Sequence, residues 1–275
     1  MIEFPESLTL ANQLNDTIYG KRITNVTAAH TLHKFAWYHG DPQKYHEFLS
    51  GEIVNKVNGI GSMVEILAGD SVILFSDGVG LRFHQEHEDR PQKHQLLIEF
   101  EDFTAISAVV QMYGGLMCFR QGELDNKYYK AAKEKPSPLS NLFDRKYFDD
   151  LLSMPDVPKL SAKAFLATEQ RIPGLGNGVL QDILYKAKIH PRRKISSLLN
   201  TDKESLFQSI KETLAEMTFK GGRDTEKDLF GCFGGYSTCL SKNTLEKPCP
   251  ICNGVIKKES YMGGSIYFCD GCQKI

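Results

Sequence analysis

The chain has 275 residues, 41% of them hydrophobic, and a formal net charge of −1, enough to build real cores and to fill two domains. No apolar run approaches the roughly 20 residues that cross a bilayer, and Met1-Ile2-Glu3-Phe4-Pro5-Glu6 lacks the basic-then-apolar order of a signal peptide. These features exclude a membrane-spanning helix and give the expectation of a cytoplasmic protein. The near-neutral total hides an asymmetry: residues 1–150 carry 15 basic against 21 acidic side chains, residues 151–275 carry 18 against 13. Phosphate-facing surface is therefore expected in the second half. Seven cysteines, four of them in two C-x-x-C pairs, suit metal binding in a reducing compartment better than a disulfide scaffold. Cys118, Cys232 and Cys239 read as inert buried thiols.

In chain order, Leu8, Leu10, Leu14 and Ile18 recur at helical spacing, so residues 7–19 predict an amphipathic helix that ends at Gly20. Between Arg22 and Arg120, short β-rich segments alternate with turn signals such as Gly69-Asp70 and Asp77-Gly78. The segments are 23–29, 52–57, 63–67, 71–75, 80–84, 95–100, 104–110 and 116–119. Their even spacing predicts an antiparallel sandwich or barrel. Lys127 to Ser140, charged and broken by Pro136 and Pro138, reads as a connector. Helical spacing returns at 147–152, 162–169, 179–187 and 202–217, the last opened by a capping box of Thr201 and Glu204. Residues 221–236, rich in glycine, read as a flexible loop. The fold class is thus α+β: residues 1–132 a β-sandwich with a leading helix, 133–222 a helical domain, and 223–275 a flexible loop and a finger.

The finger rests on Cys249-Pro-Ile-Cys252 and Cys269-Asp-Gly-Cys272, separated by 16 residues that contain a Gly263-Gly264 turn. Two such knuckles joined by a hairpin supply four thiolates in tetrahedral array, which predicts a structural Zn2+ with no coordination position left open. Upstream, Arg171-Ile172-Pro173-Gly174-Leu175-Gly176-Asn177-Gly178 leads into the 179–187 helix, followed by Ile189-His190-Pro191. Glycines at a helix N-terminus let backbone N–H groups approach an anion, and Asn177 adds a side chain able to hold a phosphate. An ordinary interhelical turn is the alternative reading.

A Pro-Gly-Leu-Gly-Asn turn into a helix ending at Ile-His-Pro, with a C-terminal four-cysteine finger, resembles the formamidopyrimidine-DNA glycosylase and endonuclease VIII family. The resemblance covers the whole chain, including the Met-Ile-Glu-Phe-Pro-Glu start. It implies a helix-two-turn-helix domain and a finger that grip double-stranded DNA at a damaged base or abasic site, flip the base, and work as a monomer. It implies catalytic positions at the amino end. The family uses an N-terminal proline amine, where this chain has Ile2 behind a retained Met1; Met1 would carry the amine, one residue out of place.

Glu3 and Glu6 match the family's acidic pair. The resemblance gives Glu3 the protonation of a sugar oxygen or the activation of a water, and Glu6 a structural role. A carboxylate favoured by a helix dipole is the alternative for Glu3. Further departures follow from the same resemblance. The family lysine falls at Ser62, with Lys56 on the preceding strand, and the finger arginine falls at Gly264. The residues that fill the hole left by a flipped base fall at Val79, Gln111 and Tyr113, of which only Tyr113 keeps an aromatic. Lys159, Lys163, Arg171, Arg192, Arg193, Lys194, Lys257 and Lys258 remain as cations for DNA, with Asn177 as the phosphate contact. Three functions stay open: a DNA N-glycosylase with altered chemistry, either hydrolytic through Glu3 or using a displaced primary amine with AP-lyase activity, a non-catalytic reader of damaged or abasic DNA, and a zinc-stabilised RNA-binding protein.

Overall fold

The computed structural model describes residues 1–275. Helix α1 (Phe4–Ile18) opens the chain one turn earlier than the sequence predicts, because Pro5 occupies its first turn and Glu3 and Glu6 close a capping box there. Strand β1 (Ile23–Ala28), the two-residue β2 (Ala36–Trp37) and the short helix α2 (Tyr45–Leu49) follow. Strands β3 (Val54–Ile60), β4 (Met63–Ala68), β5 (Ser71–His84), β6 (Leu96–Phe100) and β7 (Ala105–Arg120) complete the sheet. Its order is β1-β6-β7-β5-β4-β3, with β2 beside β7. Every pairing is antiparallel except β2 with β7.

The expected breaks at Asp77-Gly78 and around residues 111–115 do not occur. Each pair of predicted segments is one long strand, and β5 stays paired to β7 along its length except for a register shift between Asp77 and Val79. This β-bulge, with Asp77 at φ 60°, bends the ribbon without ending it. Ile73 and Phe75 before the bulge and Leu81 and Phe83 after it therefore share one core with Leu10, Leu14 and Ile18 of α1.

The connector is not extended: α3 (Lys127–Glu134) forms inside it, capped by the Asn126 side chain, which accepts from the backbone N–H of Tyr128 and Tyr129. Then come α4 (Arg145–Leu152), α5 (Ala162–Ala167), α6 (Asn177–Lys186) and α7 (Asn200–Phe219), which enclose a second core around Phe148, Phe165, Ile183 and Leu214. The expected Thr201–Glu204 capping box is replaced. Helix α7 starts two residues earlier, the Asp202 carboxylate accepts from Leu199 N–H at 2.9 Å, and Glu204 pairs with Arg145. No helix is long and apolar enough to cross a membrane.

Residues 221–236 are folded down, in contrast to the flexible loop expected. Leu229 is fully buried in the sandwich core and Tyr236 in the helical core. Phe83 N–H donates to Leu229 O at 3.0 Å, and Gln13 binds the Asp228 side chain at 2.9 Å. Local glycine content signals conformational freedom, but the long-range contacts of two buried side chains decide the outcome. The finger hairpin, β8 (Lys257–Tyr261) and β9 (Gly264–Phe268), completes the chain.

Candidate active site and nucleic-acid interface

The amino terminus is the seam between the two cores. Ile2 buries its side chain in the sandwich core and Phe4 in the helical core. Glu3, between them, turns to the N-terminus of α6, where its Oε1 accepts from Gly178 N–H at 2.8 Å and its Oε2 from Val179 N–H at 2.7 Å. The Pro-Gly-Leu-Gly-Asn-Gly turn does cradle an anion, but that anion is this chain's own carboxylate. The glycines fit it closely: a Cβ at Gly176 would lie 2.6 Å from the Glu3 carboxyl carbon, and one at Gly178 would strike both Arg223 and Glu3. Gly174, at φ 89°, lets the same turn rest on Gly61, whose carbonyl carbon would be 2.6 Å from an added Cβ.

Arg223 completes the cluster and was invisible in the sequence, where it reads as the end of a Gly-Gly-Arg turn. It is 2% exposed. Its Nε donates to Glu6 Oε1 at 2.9 Å and its Nη2 to Glu6 Oε2 at 2.8 Å, a bidentate pair, while Nη1 lies 3.6 Å from Glu3 Oε1. Two carboxylates thus share one guanidinium. Burial pushes the Glu3 carboxyl above the usual carboxylate range, against the pull of Arg223 and of the α6 N–H groups. Burial acts on Glu6 in the same sense, but the direct ion pair and hydrogen bonds from Arg223 outweigh it and hold Glu6 below that range.

The amine sits elsewhere. Met1, one-third exposed, directs its ammonium group to Glu226. Ile2 N–H donates to Asp77 O at 2.6 Å, so Ile2 is a buried anchor, 3% exposed, and not a reactive position. Glu3, Met1, Asn177, Arg223 and Tyr267 border a cavity of about 290 Å3 between α6, the finger and residues 223–242. A second cavity of about 370 Å3 lies across Met1, where Ile2, Val79 and Arg82 face the folded-down segment 225–233.

Among the predicted contact residues, Asn177 is exposed at the first position of α6. Gly264 lies against it, since a Cβ there would fall 2.6 Å from Asn177 Nδ2. Gln111 is exposed and Tyr113 half-buried in the middle of β7, opposite the Asp77–Val79 bulge. Val79 is 3% exposed and packs in the sandwich core, where it also borders the second cavity. Exposed Met112 follows Gln111 on β7. Lys257 is exposed and paired with Asp270. Lys56 is exposed on β3, and Ser62 stands at the β3–β4 turn.

Lys163 is buried, not a surface cation, and donates to Tyr261 O. Arg192 pairs with Glu259 at 2.9 Å and lies over the Tyr261 ring. Cys232, expected to be buried, is exposed.

The thiol sulfurs of Cys249, Cys252, Cys269 and Cys272 all lie within 4.8 Å of one another. Cys252 and Cys269 are 3.3 Å apart and Cys249 and Cys272 3.7 Å apart, spacings that four ligands at about 2.3 Å from one zinc ion satisfy. The finger is bolted to α6. Gln181 bonds Ser265 O at 3.0 Å and Tyr267 N–H at 3.1 Å, and the Tyr185 hydroxyl lies 3.0 Å from Cys249 Sγ. The buried Asp182 carboxylate accepts from Cys239 and Leu240 N–H, both at 2.8 Å; burial raises its pKa to about 6.

Sandwich, helical region and cysteine finger, with an acidic pair at their junction, form an arrangement that solved proteins share. No protein-family model matches the chain. The formamidopyrimidine-DNA glycosylase of Wolbachia pipientis subsp. Culex pipiens (strain wPip) is 29% identical over 282 residues, spanning 99% of this chain and 100% of that protein. Its namesake in Bacillus anthracis is 25% identical over 279 residues, 99% of each. Among solved structures, Lactococcus lactis Fpg in complex with abasic-site DNA superposes with a TM-score of 0.84 at 22% identity, covering 99% of this chain and 100% of that one. MutM (Fpg) of Thermus thermophilus superposes with a TM-score of 0.80 at 22% identity and 98% coverage of both. Over its whole length the chain is thus similar to formamidopyrimidine-DNA glycosylases.

Replacing Arg223 by Ala leaves two buried carboxylates without their cation, so folding stability at pH 7 should fall by about 3–5 kcal/mol. Glu6, with its depressed pKa, contributes stability that is present above the unfolded carboxyl pKa and lost as pH falls through the folded value. The gap between wild type and Arg223→Ala should therefore narrow below about pH 4.5. Urea unfolding at pH 7 and pH 4 checks this; a gap that is constant or widens on acidification refutes it.

Proposed function

We propose that this protein binds double-stranded DNA at a damaged base or abasic site and acts there as a base-excision-repair N-glycosylase without an amine nucleophile. The observation that carries the reading is the split between the two candidate groups. The Glu3 carboxyl borders the interdomain cavity with a raised pKa, whereas the Met1 ammonium is drawn to Glu226 and Ile2 N–H to Asp77 O. A carboxyl so tuned is suited to exchange a proton with the sugar oxygen or with a water that attacks C1′. The N-glycosidic bond then breaks, the base leaves, and an abasic sugar remains. Relatives support the binding half of the reading: the solved Lactococcus lactis proteins are complexes with DNA containing an abasic site or an N7-benzyl-Fapy-dG.

A specific feature favours a second reading, the non-catalytic reader. Both Glu3 oxygens already accept backbone N–H groups, which makes Glu3 a structural staple as well. Borohydride treatment on abasic-site DNA and a lesion-excision panel separate the two. The first reading expects no covalent adduct and at least one lesion excised, with excision by Glu3→Gln reduced at least tenfold. A trapped adduct restores the amine route; no excision, with Glu3→Gln binding as wild type does, leaves the reader.

For gripping DNA, exposed Asn177 offers a phosphate contact that Glu3 does not consume. Asn177→Ala should weaken binding by about 1 kcal/mol or more, the scale of a hydrogen bond to a charged group. Unchanged affinity at fixed salt in a mobility-shift titration would remove Asn177 from the interface.

The four thiolates are proposed to hold one structural Zn2+, since the donor set is all sulfur and complete. Cys252→Ser should lose the metal in elemental analysis and lower the melting temperature. Equal zinc content in variant and wild type contradicts the assignment.

A further inference from the structure

The bulge in β5 sets one acid apart from the core. Ile73, Phe75, Val79, Leu81 and Phe83 alternate along the strand and pack in the sandwich core. Asp77 stands in the same phase, between Phe75 and Val79, yet it is half-buried and borders a separate concavity of about 380 Å3. Two local features accompany this departure. The register shift lies directly after Asp77, and its φ is 60°, a left-handed conformation that glycine adopts freely and other residues adopt at a cost. Bulges recur where a strand re-aims one side chain.

The re-aimed carboxylate is largely uncommitted. Its Oδ2 accepts from Ser76 Oγ at 2.9 Å, and its Oδ1 accepts from no other group. The remaining walls include Ser62, Tyr113, Asn126 and Gln170 but no lysine or arginine, so no cation fixes the acid. Burial pushes its pKa up. Glu3 differs, because both of its oxygens are held by α6 N–H groups and Arg223 lies beside it. The two acids are nonetheless tied together at the junction. Asp77 O accepts from Ile2 N–H at 2.6 Å, one residue before Glu3. The Tyr113 hydroxyl is pushed up by burial and then by the charges of both carboxylates.

We propose that Asp77 is a second catalytic carboxylate, the general base that takes a proton from the attacking water and leaves the sugar oxygen to Glu3. The proposal rests on the glycosylase reading above and names the group that performs its hydrolytic step. The water O–H bond breaks as the water oxygen bonds C1′, and the proton passes to Asp77 Oδ1. The C1′–N bond breaks with its electron pair on the base. The departing base takes the proton from Asp77, which regenerates the carboxylate. A general base needs an open lone pair and a pKa shifted toward the working pH. Asp77 has both, whereas the engaged oxygens of Glu3 meet only the second need.

Glycine suits a φ of 60° better than aspartate does, so Asp77→Gly separates chemistry from structure. Duplexes carrying oxidised or ring-opened bases are screened with the full-length protein, and single-turnover excision of the best substrate is measured for wild type, Asp77→Gly and Asp77→Asn. Both variants should excise at least about a hundredfold more slowly, the lower end of general-base catalysis. Asp77→Gly should melt at or above the wild-type temperature, and both variants should bind an abasic-site duplex within about threefold of wild type. A loss of excision below about tenfold in either variant overturns the proposal while the glycosylase reading stands. Slower excision that comes with weakened duplex binding and a lower melting temperature in both variants makes Asp77 structural and overturns it too. A wild type that excises no base removes the glycosylase reading, and the role of Asp77 falls with it.

Discussion

The seating of one carboxylate on the N-terminus of one helix holds this architecture together. Glu3 reaches from the chain's first residues to the Gly178 and Val179 N–H groups, satisfying donors that every helix start leaves open and placing negative charge where the helix dipole favours it. Its neighbours Ile2 and Phe4 anchor in different cores, so the carboxylate is fixed where the two domains meet. A buried charge of this kind is costly unless it is paired and hydrogen-bonded. Arg223 meets that condition while holding Glu6 as well, which is why the segment carrying Arg223 must fold back across the junction.

Helix α6 then acts as a frame. Its first turn holds Glu3 and displays Asn177; its middle binds β9 through Gln181 and the 239–240 segment through Asp182; its last turn brings Tyr185 against the cysteine cluster. Ten residues thus set the spacing between the acidic junction and the finger. Any ligand gripped by both is measured against a rigid rod.

The sequence disclosed what depends on local chemistry. Two C-x-x-C knuckles must converge on one metal, and helical and alternating patterns located α1, α6, α7 and most strands within a few residues. Relationships that cross the chain stayed hidden. Nothing near Arg223 announces that its partner Glu6 lies 217 positions upstream. Asp77-Gly78 looks like a turn and is a bulge in a continuous strand, a difference set by the pairing of β5 with β7 and not by its own residues. Val79 keeps the same alternation as Ile73, Phe75, Leu81 and Phe83 and shares their core, a burial that the resemblance alone did not disclose. Glu3 carries both readings at once, helix-dipole carboxylate and site residue, and the structure gives it the first geometry at the wall of a cavity suited to the second.

The contact between Gly264 and Asn177 couples the finger tip to the first residue of α6. The tip holds a glycine where the resemblance implies an arginine, and a Cβ there would fall 2.6 Å from the Asn177 amide nitrogen. A side chain added at 264 therefore has to swing the exposed Asn177 amide aside, so the two positions behave as one unit of the surface, and a change at either resets what the other can present.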